Sequence, residues 1–98
     1  MVIGILKEII QNESRVSITP DVAKKLISSG HKIHIESGSG EKAFFSDKDY
    51  SDVGCIIEND SKSIYNCELI LKVNAFTNEE IEHANSGNTL ISFFQIKD

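Results

Sequence analysis

The spacing of apolar and polar positions changes repeatedly along the chain, and each change marks an element. Val2-Ile3-Gly4-Ile5-Leu6 is a short apolar run with the length and composition of a buried strand. Lys7 to Val16 is a polar loop containing Gln11, Asn12, Glu13, Ser14 and Arg15. Thr19-Pro20-Asp21 then reads as a helix start. Threonine caps the orphan N–H groups, proline fits the first helical position, and aspartate suits the positive end of the dipole. Val22, Ala23, Leu26 and Ile27 form one apolar stripe, and Gly30 supplies a left-handed C-terminal cap. From His31 to Glu36 polar and apolar residues alternate, as in a half-buried strand.

The second half repeats this grammar. Ser46 with Asp49 predicts a capping box opening a short helix that Gly54 closes. Cys55-Ile56-Ile57 predicts a short strand, and Asp60 or Ser61 starts a helical turn through Ile64 and Tyr65. Leu69 to Val73 has the composition of a buried strand. Thr77 with Glu80 predicts a second capping box, on a helix with Ile81 and Ala84 facing inward and Gly87 at its end. Thr89 to Phe94 is the fifth strand. Strands alternating with helices predict a parallel sheet with covering helices, an α/β architecture. No internal repeat, low-complexity tract or linker divides the chain.

The chain has 98 residues, enough for one small domain with a modest core. Ten Lys+Arg against 15 Asp+Glu leave a net charge of −5. That balance argues against a nucleic-acid surface and against a basic membrane-surface helix. No apolar run approaches the roughly 18–20 residues needed to span a bilayer. The amino terminus lacks the basic stretch and apolar core of a signal peptide. Cys55 and Cys67 form no CxxC pattern and are expected to stay reduced. The sequence stops at Lys97-Asp98, directly after an apolar strand. A sheet ending there has one face poorly covered, which predicts a fragment or a split subunit.

Several patterns suggest chemistry. Gly38-Ser39-Gly40-Glu41-Lys42-Ala43 reads G-x-G-x-x-A after a strand, and Glu58 lies 20 positions beyond Gly38, the outline of a dinucleotide fingerprint. However, Phe44-Phe45-Ser46-Asp47 falls where the phosphate-binding helix should already be running, so the segment is read as a glycine turn. His31, His34 and His83 lack metal-ligand spacing. No G-x-S-x-G elbow or other nucleophile arrangement is present. Glu79, Glu80 and Glu82 read as a solvated helix face, and Phe44, Phe45, Phe93 and Phe94 as core or interface. Arg15 and Lys72 stand apart. Arg15 follows the first strand and Lys72 closes the fourth, so both belong at the carboxyl ends, where open α/β sheets bind ligands. Two cations there suit a carboxylate or phosphate. A lysine ending so apolar a strand also calls for an anionic partner.

Taken together, the residues resemble a known family. Gly4-Ile5, Lys7-Glu8, Asn12-Glu13-Ser14-Arg15-Val16 and Thr19-Pro20 are similar to the amino-terminal domain shared by alanine dehydrogenases and proton-translocating NAD(P) transhydrogenase alpha subunits. The likeness continues through Ser29-Gly30-His31, Glu36 to Gly40, Phe45-Ser46-Asp47, Gly54, Glu68 to Ala75, Gly87 and Thr89 to Phe93. In alanine dehydrogenases the matching Arg and Lys bind the carboxylate and carbonyl of pyruvate, which implies a substrate pocket at Arg15 and Lys72. The catalytic His of those enzymes corresponds to Gln95 here, in Ser92-Phe93-Phe94-Gln95-Ile96. Glutamine cannot act as a general acid or base near neutral pH. Lys72-Val73-Asn74-Ala75 with Ser92-Phe93 is therefore closer to the transhydrogenase alpha subunits, although Phe76 stands where those commonly have proline.

The resemblance implies an open, mostly parallel, flavodoxin/Rossmann-like sheet with helices on both faces, residues 1–98 forming the first domain. It implies hydride transfer between NAD(H) and NADP(H) coupled to proton translocation in the full complex. NAD and NADP are cofactors of that complex, with none expected on this chain. The NAD site lies in a second, Rossmann-type domain further along, which this chain does not contain. The implied partners are that NAD-binding domain, the beta subunit and a second copy in a homodimer. No nucleic acid and no direct membrane insertion are expected. The implied place is cytoplasmic, peripheral to the inner membrane through partner subunits. Alternatives are an alanine-dehydrogenase-like domain binding a 2-keto acid, and a non-catalytic interaction domain.

Overall fold

The computed structural model describes residues 1–10, 13–85 and 87–93. Among the described residues five strands, β1 (Val2–Ile5), β2 (Lys32–Glu36), β3 (Ile56–Glu58), β4 (Leu69–Lys72) and β5 (Thr89–Ser92), form one sheet in the order β3-β2-β1-β4-β5. Every pairing is parallel. The chain builds outward from β1 to β3, then crosses to β4 on the other side of β1. Strand order therefore reverses between β1 and β4, which opens a crevice at their carboxyl ends. The described connections contain α1 (Pro20–Ser28), α2 (Asp47–Asp52), α3 (Ser61–Ile64) and α4 (Asn78–His83).

Side-chain alternation along each strand divides the core in two. Ile3, Ile5, Ile33, Ile35 and Leu71 point to one face, where Ala23 of α1 and Tyr50 of α2 cover them. Leu6, Ile64, Tyr65 and Ile70 pack on the other, with Phe76, Ala84 and Leu90 partly buried against them. Burying each such aliphatic side chain contributes about 1.5–3 kcal/mol. Two glycines make close packing possible. A Cβ on Gly4 would lie 2.9 Å from Ile64 Cγ2 and 3.0 Å from Cys67 Sγ. One on Gly40 would lie 2.6 Å from Tyr50 Cε2.

The caps form as the sequence predicts. Ser46 and Asp49 make a reciprocal capping box on α2, and Thr77 and Glu80 make one on α4. Other expectations need correction. Val22 is exposed, so the buried side of α1 is Ala23 with Leu26 and Ile27. Ile81 also points outward, because α4 is only six residues long and reaches the core through Phe76 before it and Ala84 after it. The helix stops at His83, with an extended Ala84, well before Gly87. A 3-10 turn, Glu41–Ala43, went unforeseen, and Phe44 after it is left-handed (φ 67°) and exposed. Phe94, read as the end of β5, lies outside the described residues.

Candidate functional site

Arg15 sits in the loop leaving β1, gripped by a carboxylate two residues back. Its Nε donates to Glu13 Oε2 at 2.9 Å and its Nη2 to Oε1 at 2.7 Å, while its backbone N–H donates to Oε2 at 2.8 Å. The fork is bidentate, the strongest geometry for a guanidinium on a carboxylate. Arg15 is half exposed, but the Glu13 side chain is nearly buried. The Arg15 hydrogen bonds, with further help from Asn74, pull the Glu13 carboxyl down to about 2 from its ordinary 4.5. In return, Glu13 raises Arg15 above its ordinary value.

The same network reaches the neighbouring strand. Asn74 Nδ2 donates to Glu13 Oε1 at 2.8 Å and to Glu8 Oε1 at 3.3 Å. Glu8 also accepts the backbone N–H groups of Val73 at 2.9 Å and Asn74 at 3.1 Å. Glu8 from the β1 loop thereby satisfies the backbone just past β4, while Glu13 from the same loop holds the Asn74 side chain. These carboxylates hold the crevice in shape. Sequence reasoning missed Glu8, Glu13 and Asn74 as a unit. Asn-Glu-x-Arg and Lys-Val-Asn are separate signals in the sequence, and only the β1–β4 pairing brings them together.

Lys72 ends β4 and is fully buried, on the same side of the strand as Ile70. Its Nζ donates to Glu80 Oε1 at 2.8 Å and Oε2 at 3.0 Å, and lies 5.7 Å from the centroid of the Phe76 ring. A buried ammonium needs such a partner. Glu80 Oε1 also accepts the Thr77 N–H at 2.8 Å, so one carboxylate caps α4 and neutralises Lys72. The expectation that Glu80 belongs to a solvated face is therefore wrong, although Glu79 and Glu82 are exposed. Sequence periodicity assigned Glu80 to the helix and could not see a strand end lying beside that cap.

Arg15 and Lys72 come to the same edge of the sheet but not into one cavity. Arg15 borders a small cavity of about 70 Å³ with Lys7, Glu8, Glu13 and the Gly38 turn. Glu80, in front of Lys72, borders a separate cavity of about 310 Å³ on the α3/α4 face, with Leu6, Lys7, Glu36, Tyr65, Glu79 and His83. Lys7 lines both and was not singled out from the sequence. Gln95, the third expected pocket residue, lies outside the described residues.

The glycine turn does not fit a pyrophosphate. Its Gly38 N–H, which a phosphate would need, donates to Asp47 Oδ1 at 2.9 Å, and Ser37 Oγ donates to Asp47 Oδ2 at 2.6 Å. A three-residue 3-10 turn follows in place of a helix N-terminus. Glu58, the candidate ribose ligand, faces His34 Nδ1 at 2.8 Å. Among the described residues no helix is long and apolar enough to cross a membrane.

Comparison with known proteins fits this geometry. Residues 4–97 match the family described as alanine dehydrogenase/PNT, N-terminal domain. The chain is 33% identical over 96 residues to the alanine dehydrogenase of Staphylococcus saprophyticus, covering 98% of this chain and 26% of that protein. It is 39% identical over 95 residues to the NAD(P) transhydrogenase subunit alpha of Cereibacter sphaeroides, covering 96% of this chain and 18% of that one. The crystal structure of a transhydrogenase from Sinorhizobium meliloti superposes with a TM-score of 0.89 at 29% identity, over 96% of this chain and 28% of the other. The chain thus spans between 18% and 28% of the length of these relatives.

Proposed function

This chain belongs to the alanine dehydrogenase/PNT N-terminal domain family, and from that premise we propose that it serves as the first domain of an NAD(P) transhydrogenase alpha subunit. The observation that carries the reading is that the two cations expected to hold substrate are matched by the chain's own carboxylates, Arg15 by Glu13 and Lys72 by Glu80. Each of these two cations has a partner without a substrate.

In this role the domain carries no nucleotide itself. It walls one side of a cleft whose other side is an NAD-binding domain. The complex transfers hydride between NAD(H) and NADP(H), coupled to proton translocation by membrane partners that include a beta subunit. The domain pairs with a second copy and sits on the cytoplasmic side of the inner membrane through those partners. Ile9, Phe44 and Phe93 support a docking role, since all three are exposed on segments leaving the carboxyl ends of strands. Exposed apolar side chains at one edge suit a surface that another domain covers.

Alanine-dehydrogenase-like binding of a 2-keto acid is the second reading, favoured by the placement of Arg15 and Lys72 after adjacent strands at the switch point. One assay separates the two. The domain, joined to an NAD-binding domain and supplied with a beta subunit, is offered either NADPH with an NAD analogue, or NADH with pyruvate and ammonium. The first reading predicts turnover of the nucleotide pair alone. Pyruvate-dependent oxidation of NADH would replace it with the second.

A further inference from the structure

The geometry points to Glu80 as an internal competitor for Lys72: a small carboxylate can bind the Lys72 ammonium only by displacing the Glu80 side chain. This inference rests on the reading of Arg15 and Lys72 as the pocket residues, and adds a residue that sets whether the pocket is open. Lys72 has no exposed surface, and both Glu80 oxygens lie within 3.0 Å of its Nζ. An incoming carboxylate would want the same donors. Glu80 touches Lys72 and also borders the cavity of about 310 Å³, which Lys72 does not line, so that cavity has room to receive the Glu80 side chain when it swings away.

Charge makes the exchange one-for-one. Besides Glu80, the cavity is bordered by two more carboxylates, Glu36 and Glu79, against one lysine, Lys7, and His83, so a further anion added beside Glu80 is disfavoured there. A ligand carboxylate that takes the place of Glu80 leaves the buried ammonium paired, whereas one that joins it does not. Glu80 also holds the Thr77 N–H, so displacement loosens the first turn of α4. The pocket state is thereby linked to the order of a short helix.

The test titrates the full 98-residue chain with sodium pyruvate, followed by amide chemical shifts. Glu80→Gln keeps a side chain able to complete the capping box, but gives up the ion pair. It is expected to bind pyruvate about tenfold or more tightly than the unaltered chain, and adding Lys72→Met should abolish the gain. Glu80→Asp, a smaller change that keeps the charge, should fall between the two and serves if the glutamine variant does not fold. Equal or weaker binding by the folded variants, or a gain that survives Lys72→Met, overturns the inference. Arg15→Gln separates this from the pocket reading. If the gain needs Lys72 but ignores Arg15, Glu80 competes as inferred and the shared pocket fails. If no gain is seen yet pyruvate binding still falls with Arg15→Gln and Lys72→Met, the pocket stands and the competition does not.

Discussion

Glu13 shows how much one carboxylate can hold together. Held by Arg15 and Asn74, it links the β1 loop to the residues after β4. Its folded pKa is depressed from 4.5 to about 2. The sign follows directly: its stabilising contribution is complete above 4.5 and is lost as pH falls through about 2. A side-chain carboxyl titration by NMR should give Glu13 a midpoint near 2, and a midpoint near 4.5 would mean that the Arg15 fork does not persist in solution. A second residue-scale prediction concerns Gly40, whose missing Cβ leaves room for Tyr50 and for the Phe45 carbonyl. Gly40→Ala should cost about 2 kcal/mol or more, from overpacking, read as a lower urea midpoint. An unchanged midpoint would mean that the turn shifts freely. The turn residues were legible as a turn in the sequence. That the turn must contain a glycine because an aromatic ring lies against it was not, since Tyr50 is brought there by a helix ten residues on.

At the scale of elements, the pair Lys72–Glu80 joins the end of β4 to the cap of α4. Glu80→Ala removes the partner of a buried ammonium and is expected to destabilise by roughly 3 kcal/mol, the usual cost of orphaning one member of a buried pair. Lys72→Met combined with Glu80→Leu should recover most of that loss, because an apolar pair leaves no unmatched charge. Urea unfolding of the single and double variants checks this, and strictly additive losses would contradict it. The strands, most helix starts and both capping boxes were legible, because alternation, proline and cap residues are local signals. Ile81 and Glu80 were both misplaced for one reason. A helix of six residues is too short for its own periodicity to fix which side faces the core, and here the flanking Phe76 and Ala84 decide it.

At the scale of the molecule, the all-parallel order β3-β2-β1-β4-β5 puts the loops after β1 and β4 side by side. This adjacency turns Arg15, Glu13, Glu8 and Asn74 into one network. Sequence alone placed the two cations at the carboxyl edge of the sheet but not the contacts that hold them: Glu80 meets Lys72 across a helix cap, and Glu13, two residues before Arg15, is tied to Asn74 from beyond β4. The glycine turn illustrates the converse, a motif whose amide donor Asp47 has already taken. The central claim is therefore that this domain frames a nucleotide cleft without binding nucleotide itself. Titration of the isolated chain with NADH, followed by calorimetry or nicotinamide fluorescence, tests it most directly. The account predicts no saturable binding in the micromolar range, and micromolar saturation would contradict it.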